Sequence, residues 1–236
     1  MGPFLKGLKR KEIIYIYMEN NLNIKKLVGV ATLTALVVAL QFLGNNVKFG
    51  TVEMTLALIP IAVGAILYGP LVGGFLGLVM GFIVLFAPGT QAAFMPVNAV
   101  ATVFLCMLKS GVAGLVAGLV FRLFAYYAKK SEKEKTKRSL FAAGIIVSAL
   151  MVPLVNTLLF IIGALMFFMS LFGDFISLVT AVITINFAIE FTVSAIASPA
   201  LVTLVKVLAR NYNLGFANDF ECFLTNDDEV KEEIEA

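Results

Sequence analysis

Long apolar blocks without a charged residue are the dominant feature of this sequence. Residues 27–44 and 140–169 are two such blocks, and about 20 apolar residues suffice for a helix to cross the hydrocarbon core of a bilayer. The chain is 60% hydrophobic and 14% charged, whereas soluble domains are about 45–50% apolar and about 25% charged. Too few polar residues remain to cover a water-facing surface, and the blocks lack the two-residue alternation of a membrane barrel. The sequence therefore predicts an all-α membrane protein.

The apolar blocks divide into six predicted transmembrane helices. We expect them at about 27–44, 54–68, 70–87, 96–127, 140–169 and 175–208. The long stretch after Glu53 is divided at Gly69-Pro70, because Gly-Pro interrupts helices and proline is tolerated in the first turn of a new one. These helices form a membrane domain over 25–210, preceded by a cytoplasmic extension over 1–24, within which Met18 is an alternative start, and followed by an acidic cytoplasmic tail over 211–236.

Lysine and arginine are distributed very unevenly between the two ends of these helices. If both termini lie on one side, sixteen of the eighteen basic residues fall on that side, including the run within 129–139. Only Lys48 falls on the other side, and Lys109 lies within a helix. Because cytoplasmic loops are enriched in basic residues, we expect the N- and C-termini in the cytoplasm.

Small residues recur at four-residue spacing on three of the predicted helices. They are Ala31 and Ala35 on the first helix, Gly73, Gly77 and Gly81 on the third, and Gly114 and Gly118 on the fourth. Small residues at this spacing let helix backbones approach closely in a membrane. The spacing predicts packing between helices.

Five polar residues near or within the membrane are the candidate ligand-binding residues. Counted from the outer ends of their helices at about 1.5 Å per residue, Lys109, Asn156 and Glu190 each lie about 20 Å deep. Asn186 lies one turn above Glu190 on the same face, and Asn98 lies higher, in the loop before the fourth helix. Ionisable groups are expensive within a membrane and are functional candidates by default. The sequence predicts that they meet in one polar site.

Lys109 and Glu190 have two interpretations from the sequence alone. They bind a solute in a polar cavity, or they form a buried ion pair while Asn156 and Asn186 satisfy helix backbone groups. The two roles are compatible, since an ion pair can form the floor of a cavity. Both interpretations stay open at this stage.

No enzyme motif is present in the sequence. Histidine is absent, which removes Ser–His dyads and histidine-bearing metal motifs, and no Walker A motif, Gly-x-Ser-x-Gly motif or dinucleotide-binding loop occurs. Cys106 and Cys222 form neither a disulfide framework nor a metal-binding pair. We therefore expect no catalytic residues, no cofactor, no metal site and no nucleic-acid partner, so that any ATP hydrolysis belongs to another subunit.

Several segments resemble the substrate-binding S components of energy-coupling factor (ECF) transporters. They are KKLVGVATLTALVVAL in the first helix, LALIPIAVGAILYGPLVGGFLGLVMG across the second and third, and CMLKSGVAGLVAGLVFR, VPLVNTLLF and INFAIEF in the last three. The similarity covers about 25–210. The six-helix layout of that family, with a cytoplasmic N-terminus, agrees with the charge distribution.

The resemblance implies a multi-pass protein of the bacterial cell membrane. It also implies high-affinity binding of a water-soluble vitamin or related micronutrient, at the outer face, for an ATP-driven importer. Ala31 and Ala35 would dock the first helix onto a transmembrane T component that couples to two ATPase subunits. Lys109 would suit a carboxylate, as in pantothenate or folate, unless Glu190 already pairs with it. The N-terminus lacks the histidines expected of the metal-uptake branch, which argues against cobalt and nickel.

Two other functions fit the sequence less well. A self-sufficient secondary carrier would transport its solute without partners, but such carriers often contain inverted repeats, and the two halves of this chain show no convincing repeat. A purely structural membrane protein would leave Lys109, Glu190 and Asn186 with roles in stability alone.

The basic segment 129–139 tests the predicted orientation. We expect cysteines introduced there to be inaccessible, in intact cells, to a thiol reagent that does not cross membranes, because basic loops are retained in the cytoplasm. A cysteine introduced at Lys48 is the control for the outer side. Labelling of 129–139 from outside would invert the orientation and remove the basis of an import function.

Overall fold

The computed structural model describes residues 10–45, 48–49, 52–53, 55, 57–174, 177 and 187–212. Its helices are α1 (Arg10–Gly44), α2 (Leu58–Tyr68), α3 (Pro70–Val84), α4 (Ala99–Lys130), α5 (Glu134–Phe167), α6 (Met169–Phe172) and α7 (Ala188–Tyr212). A π-helical segment, Thr90–Phe94, precedes α4, and a short antiparallel ribbon of β1 (Lys48–Phe49) and β2 (Val52–Glu53) follows α1. The largely helical architecture confirms the predicted fold class. The ribbon was not predicted, because two-residue strands are too short to leave an alternating pattern.

Four of these helices contain stretches long and apolar enough to cross a bilayer. The stretches are Ile24–Gly44, Ala99–Lys130, Lys135–Phe167 and Ala188–Val207. The helices α2 and α3 are apolar but only about 17 Å and 23 Å long at the helical rise, which is less than the hydrocarbon core of about 30 Å. The described residues therefore give four candidate spans, and the predicted number of six and the sidedness stay predictions.

Several helices extend beyond their apolar blocks. The helix α1 begins at Arg10, upstream of the expected residue 27, and α5 begins at Glu134, upstream of the expected residue 140. Hydropathy marks the part of a helix that suits lipid, whereas backbone hydrogen bonding continues into the polar flanks. At other ends the apolar block is longer than the helix: α2 begins at Leu58, after the expected residue 54, and α3 ends at Val84, before the expected residue 87.

The short helix α2 is enclosed by the rest of the bundle. All its residues from Leu58 to Leu67 except Ile59 are buried, and it contacts α1, α3, α4, α5 and α7. A helix that is apolar on every side must be covered on every side. At its end Gly69 has φ 95°, a conformation that favours glycine, and Pro70 opens α3. This turn packs α3 against the central helix.

The helices α3 and α4 cross with their backbones in contact. Glycines of α3 face carbonyl oxygens of α4 over successive turns: Gly73 faces Gly114, Gly77 faces Ser110 and Gly81 faces Cys106. At Gly81, an added Cβ would lie 2.5 Å from the Cys106 oxygen. The packing interpretation of these glycines is confirmed. We call this contact the glycine seam, and it fixes the height and rotation of α4, which also packs extensively on α5.

A methyl group in the middle of the glycine seam should force the two helices apart. We expect Gly77→Ala to lower the free energy of unfolding by about 1–3 kcal/mol, the usual cost of overpacking, because its Cβ would overlap the Ser110 carbonyl. Thermal unfolding in detergent measures the change. The control is Leu78→Ala, at an exposed neighbouring position on α3. Equal unfolding temperatures for the two variants would contradict the close backbone contact.

Candidate functional site

A small polar cavity lies at one end of the bundle, where the C-terminal ends of α1, α3 and α5 meet the N-terminal third of α4. The connection between α4 and α5, which carries the basic run, lies at the opposite end. The cavity measures about 60 Å³, which is room for a few water molecules. It is lined by Gln41, Thr55, Val84, Thr90, Phe94, Thr102, Leu105, Cys106, Lys109, Asn156, Thr157, Phe160 and Phe168.

Lys109 supplies the positive charge of the cavity. It is 8% exposed. On α4 it lies between Cys106 and Ser110, two residues of the glycine seam, so the contact with α3 fixes the position of its backbone. Its Nζ lies 5.1 Å from the centroid of the Phe160 ring on α5, within the range of a cation–π interaction. Within the described part of the chain, no oxygen accepts a hydrogen bond from this ammonium group. Its three N–H donors therefore face the cavity.

Two side-chain oxygens in the cavity wall lack a hydrogen-bond partner. Asn156 on α5 is 3% exposed and Gln41 on α1 is 1% exposed, and neither Asn156 Oδ1 nor Gln41 Oε1 accepts a hydrogen bond. The other end of the Gln41 amide is held, because Nε2 donates to Asn45 Oδ1 at 2.9 Å. Buried polar atoms nearly always have a partner. Two unpaired acceptors in one cavity are therefore a sign of a ligand site.

Glu190 lies behind the cavity wall and ties two distant segments together. Its carboxylate Oε1 accepts a hydrogen bond of 3.1 Å from the backbone N–H of Thr55, which lies between β2 and α2 and lines the cavity. Glu190 is 3% exposed, and its Oε2 has no hydrogen-bond partner. It lies within electrostatic range of Lys109, yet no direct ion pair joins these two described residues. The direct-pair interpretation is therefore wrong for this conformation.

Aromatic rings close the cavity on the side of the π-helical segment. Phe94 meets Phe168 edge to face at 5.2 Å between centroids and Phe160 at 5.7 Å. The Thr102 hydroxyl lies 3.1 Å from the Phe94 carbonyl oxygen, so the segment is attached to α4 next to the cavity. Edge-to-face packing of this kind stabilises the closed arrangement.

The predicted site residues have three different positions. Lys109 and Asn156 line the cavity, and Glu190 supports it through Thr55. Asn98 is exposed, and its Oδ1 accepts a hydrogen bond of 3.0 Å from the Ala101 N–H as the N-cap of α4. Asn186 lies outside the described residues.

Gln41, Thr55, Phe160 and Phe168 are among the cavity-lining residues that sequence reasoning missed. Gln41 is an amide in an otherwise apolar span, and the rule that selected Lys109 and Glu190 would have found it. Thr55, Phe160 and Phe168 carry no such signal, because threonine and phenylalanine are common at membrane depth and only the fold brings them together.

The arrangement is suited to binding a small polar solute. It combines one ammonium group, two unpaired acceptor oxygens and an aromatic wall. The described residues contain no group of three or more Cys, Asp or Glu side chains that could hold a metal ion.

A second surface feature lies on α1. Its residues Ala31 and Ala35 are exposed and form an apolar groove with Val30, Val38, Ala39 and neighbouring side chains, including Phe75 of α3. The hydroxyl of Thr34 in this groove donates to the Val30 carbonyl at 2.8 Å, so it leaves no unpaired donor on the surface. This face suits close contact with another apolar helix.

Comparison with known proteins gives one family match. The model of a family described as ECF transporter, substrate-specific component, matches residues 25–202 of the chain. No curated protein and no solved structure matches. The matched range includes Lys109, Asn156 and Glu190, together with Ala31 and Ala35.

The hydrogen bond between Thr55 and Glu190 can be tested by two substitutions at one position. We expect Glu190→Ala to reduce the free energy of unfolding by about 1–3 kcal/mol, because it leaves a buried N–H unpaired. Glu190→Gln should be affected less, since its amide oxygen still accepts from Thr55. Thermal unfolding in detergent gives both values. If the Gln variant were as unstable as the Ala variant, Glu190 would act through its charge rather than through this hydrogen bond.

Proposed function

The chain belongs to the family of ECF transporter substrate-specific components, whose model matches more than half of its length, and we propose that it binds a water-soluble vitamin or related micronutrient for import. This family consists of substrate-binding components of membrane transporters, not of enzymes. The observation that carries the proposal is the buried cavity in which Lys109 and Asn156 present unpaired polar groups. Such groups are costly in a membrane unless a ligand uses them.

The position of the cavity supports uptake from outside. It lies at the end of the bundle opposite the basic connection between α4 and α5. If that connection is cytoplasmic, as basic loops usually are, the cavity is next to the outer surface. A solute then enters past the ribbon, Thr55 and the π-helical segment.

Substrate binding on this proposal requires the site to open. Ligand pockets usually measure about 300–1,000 Å³, whereas this cavity measures about 60 Å³. On this proposal Phe94 and Phe168, whose rings meet edge to face at one side of the cavity, separate to admit the substrate. The described conformation is therefore the closed one.

Transport on this proposal requires partners, because the sequence contains no Walker A motif for ATP hydrolysis. The apolar groove of α1 would dock onto a transmembrane T component, which couples to two ATPase subunits. Ala31 and Ala35 keep this face shallow, so that a partner helix can approach closely.

Affinity purification from the membranes of the native host tests binding and docking together. We expect the wild-type protein to retain a vitamin-like compound, identified by mass spectrometry after extraction, and to co-purify with a T component and two ATPases, identified by their peptides. Ala35→Leu should retain the compound and lose the three subunits, because a larger side chain holds the partner helix away. Uptake by cells should fall with subunit binding.

The control is Ala200→Leu, which makes the same change at an exposed position on α7 and should keep both the compound and the subunits. Loss of the compound in Ala35→Leu would contradict a docking role for α1. Transport by the purified protein alone in liposomes would replace the proposal with a self-sufficient carrier.

A further inference from the structure

We propose that the compound bound in this cavity is an organic acid, whose carboxylate pairs with Lys109 and whose N–H or O–H groups donate to Asn156 and Gln41. This inference rests on the proposed binding function and names the chemical class of the substrate. It follows from the charges and unpaired atoms of the cavity, taken one at a time.

Lys109 requires an anion. A buried ammonium group without a hydrogen-bond acceptor carries a large desolvation cost, and the Phe160 ring at 5.1 Å offsets only part of it. The ring also leaves the N–H donors unused, since it contacts the charge through its face. A carboxylate supplies both the opposite charge and acceptor oxygens, and such charge-assisted hydrogen bonds are among the strongest in proteins.

Glu190 does not take this role. Its Oε1 is held by the Thr55 N–H at 3.1 Å, and Thr55, not Glu190, lines the cavity. The Glu190 charge therefore acts on Lys109 from behind the wall. Because no direct ion pair joins the two residues, the N–H groups of Lys109 are free to bind a ligand.

Asn156 and Gln41 require donors. Both Asn156 Oδ1 and Gln41 Oε1 are buried and unpaired, and an isolated carboxylate has no hydrogen to give them. The substrate therefore carries at least one amide, amine or hydroxyl group beside its acid group. A cation would be repelled by Lys109, and a neutral compound would offer its N–H donors only uncharged acceptors, which form weaker hydrogen bonds.

The size of the cavity agrees with recognition of the acid group at the deep end. A volume of about 60 Å³ is enough for a carboxylate and one or two neighbouring atoms but not for a whole vitamin. Phe168 and Phe94, the last residue of the π-helical segment, close this space on one side. The remainder of the substrate replaces their contact when the site opens.

Calorimetric titration of the detergent-purified wild-type protein tests the inference with matched pairs of compounds. The pairs are biotin and biotinamide, pantothenate and pantothenol, and the retained compound with its carboxamide. We expect an acid to bind, and its neutral analogue to bind about 10- to 100-fold more weakly, as expected for the loss of a charge-assisted hydrogen bond.

Substitution of the lysine gives the second arm of the experiment. Lys109→Met keeps the length of the side chain and removes its charge, and it should lower the affinity for the acid by the same factor while abolishing the preference over the neutral analogue. Lys130→Met, at an exposed position in the last turn of the same helix, is the matched control and should bind like the wild type. Thermal unfolding establishes that each variant is folded. The comparison of an acid with its neutral analogue on the wild-type protein tests the inference even if a variant does not fold.

Three outcomes would overturn the inference: binding of none of the acids, equal affinity for an acid and its neutral analogue, or an unchanged acid preference in folded Lys109→Met. Binding of a neutral or cationic vitamin together with the T component and the ATPases would reject the acid and keep the proposed function. Failure of both binding and subunit association would reject the proposed function as well.

Discussion

The close approach of α3 and α4 is the contact on which the rest of the site depends. In lipid, apolar surfaces gain little by meeting each other, so two helices associate through shape and backbone proximity. The glycines of α3 remove the side chains that would separate the helices, and the carbonyls of Ser110 and Cys106 occupy the space. Because Lys109 lies between these two seam residues on α4, the seam determines the height and the direction from which the ammonium group enters the cavity.

Most polar groups around that ammonium group have a nearby partner, which offsets much of the free-energy cost of burying them. Glu190 receives the Thr55 N–H, Gln41 donates to Asn45 and Lys109 lies over Phe160. Besides the second Glu190 oxygen, the groups around the ammonium that lack a partner include the lysine donors and the oxygens of Asn156 and Gln41. Unpaired donors and acceptors gathered around one cavity are what a binding site requires, since a ligand supplies the missing partners.

The site residues that sequence reasoning identified are polar or charged residues within predicted membrane spans. Lys109, Asn156 and Glu190 stand out because polar groups are costly at membrane depth, and counting residues from the helix ends predicted their similar heights. Asn98 was selected as a loop residue that could close over a solute, but its side chain caps α4. A cap is a local arrangement that residue type alone does not distinguish from a ligand contact. Thr55, Phe160 and Phe168 were missed, because an ordinary residue becomes part of a site only through the contacts that the fold gives it.

Membrane residence, helical fold and the division at Gly69-Pro70 follow from the sequence by itself, because they depend on hydropathy and backbone preference, which are local properties. The packing role of the glycines was also readable, since their spacing matches the helical repeat. Whether Lys109 and Glu190 pair was decided only by the tertiary structure. The Thr55 N–H, 135 residues away in the sequence, competes with Lys109 for the Glu190 carboxylate. No local sequence pattern predicts that contact. The separation that results leaves the lysine facing the cavity and gives the site its positive charge.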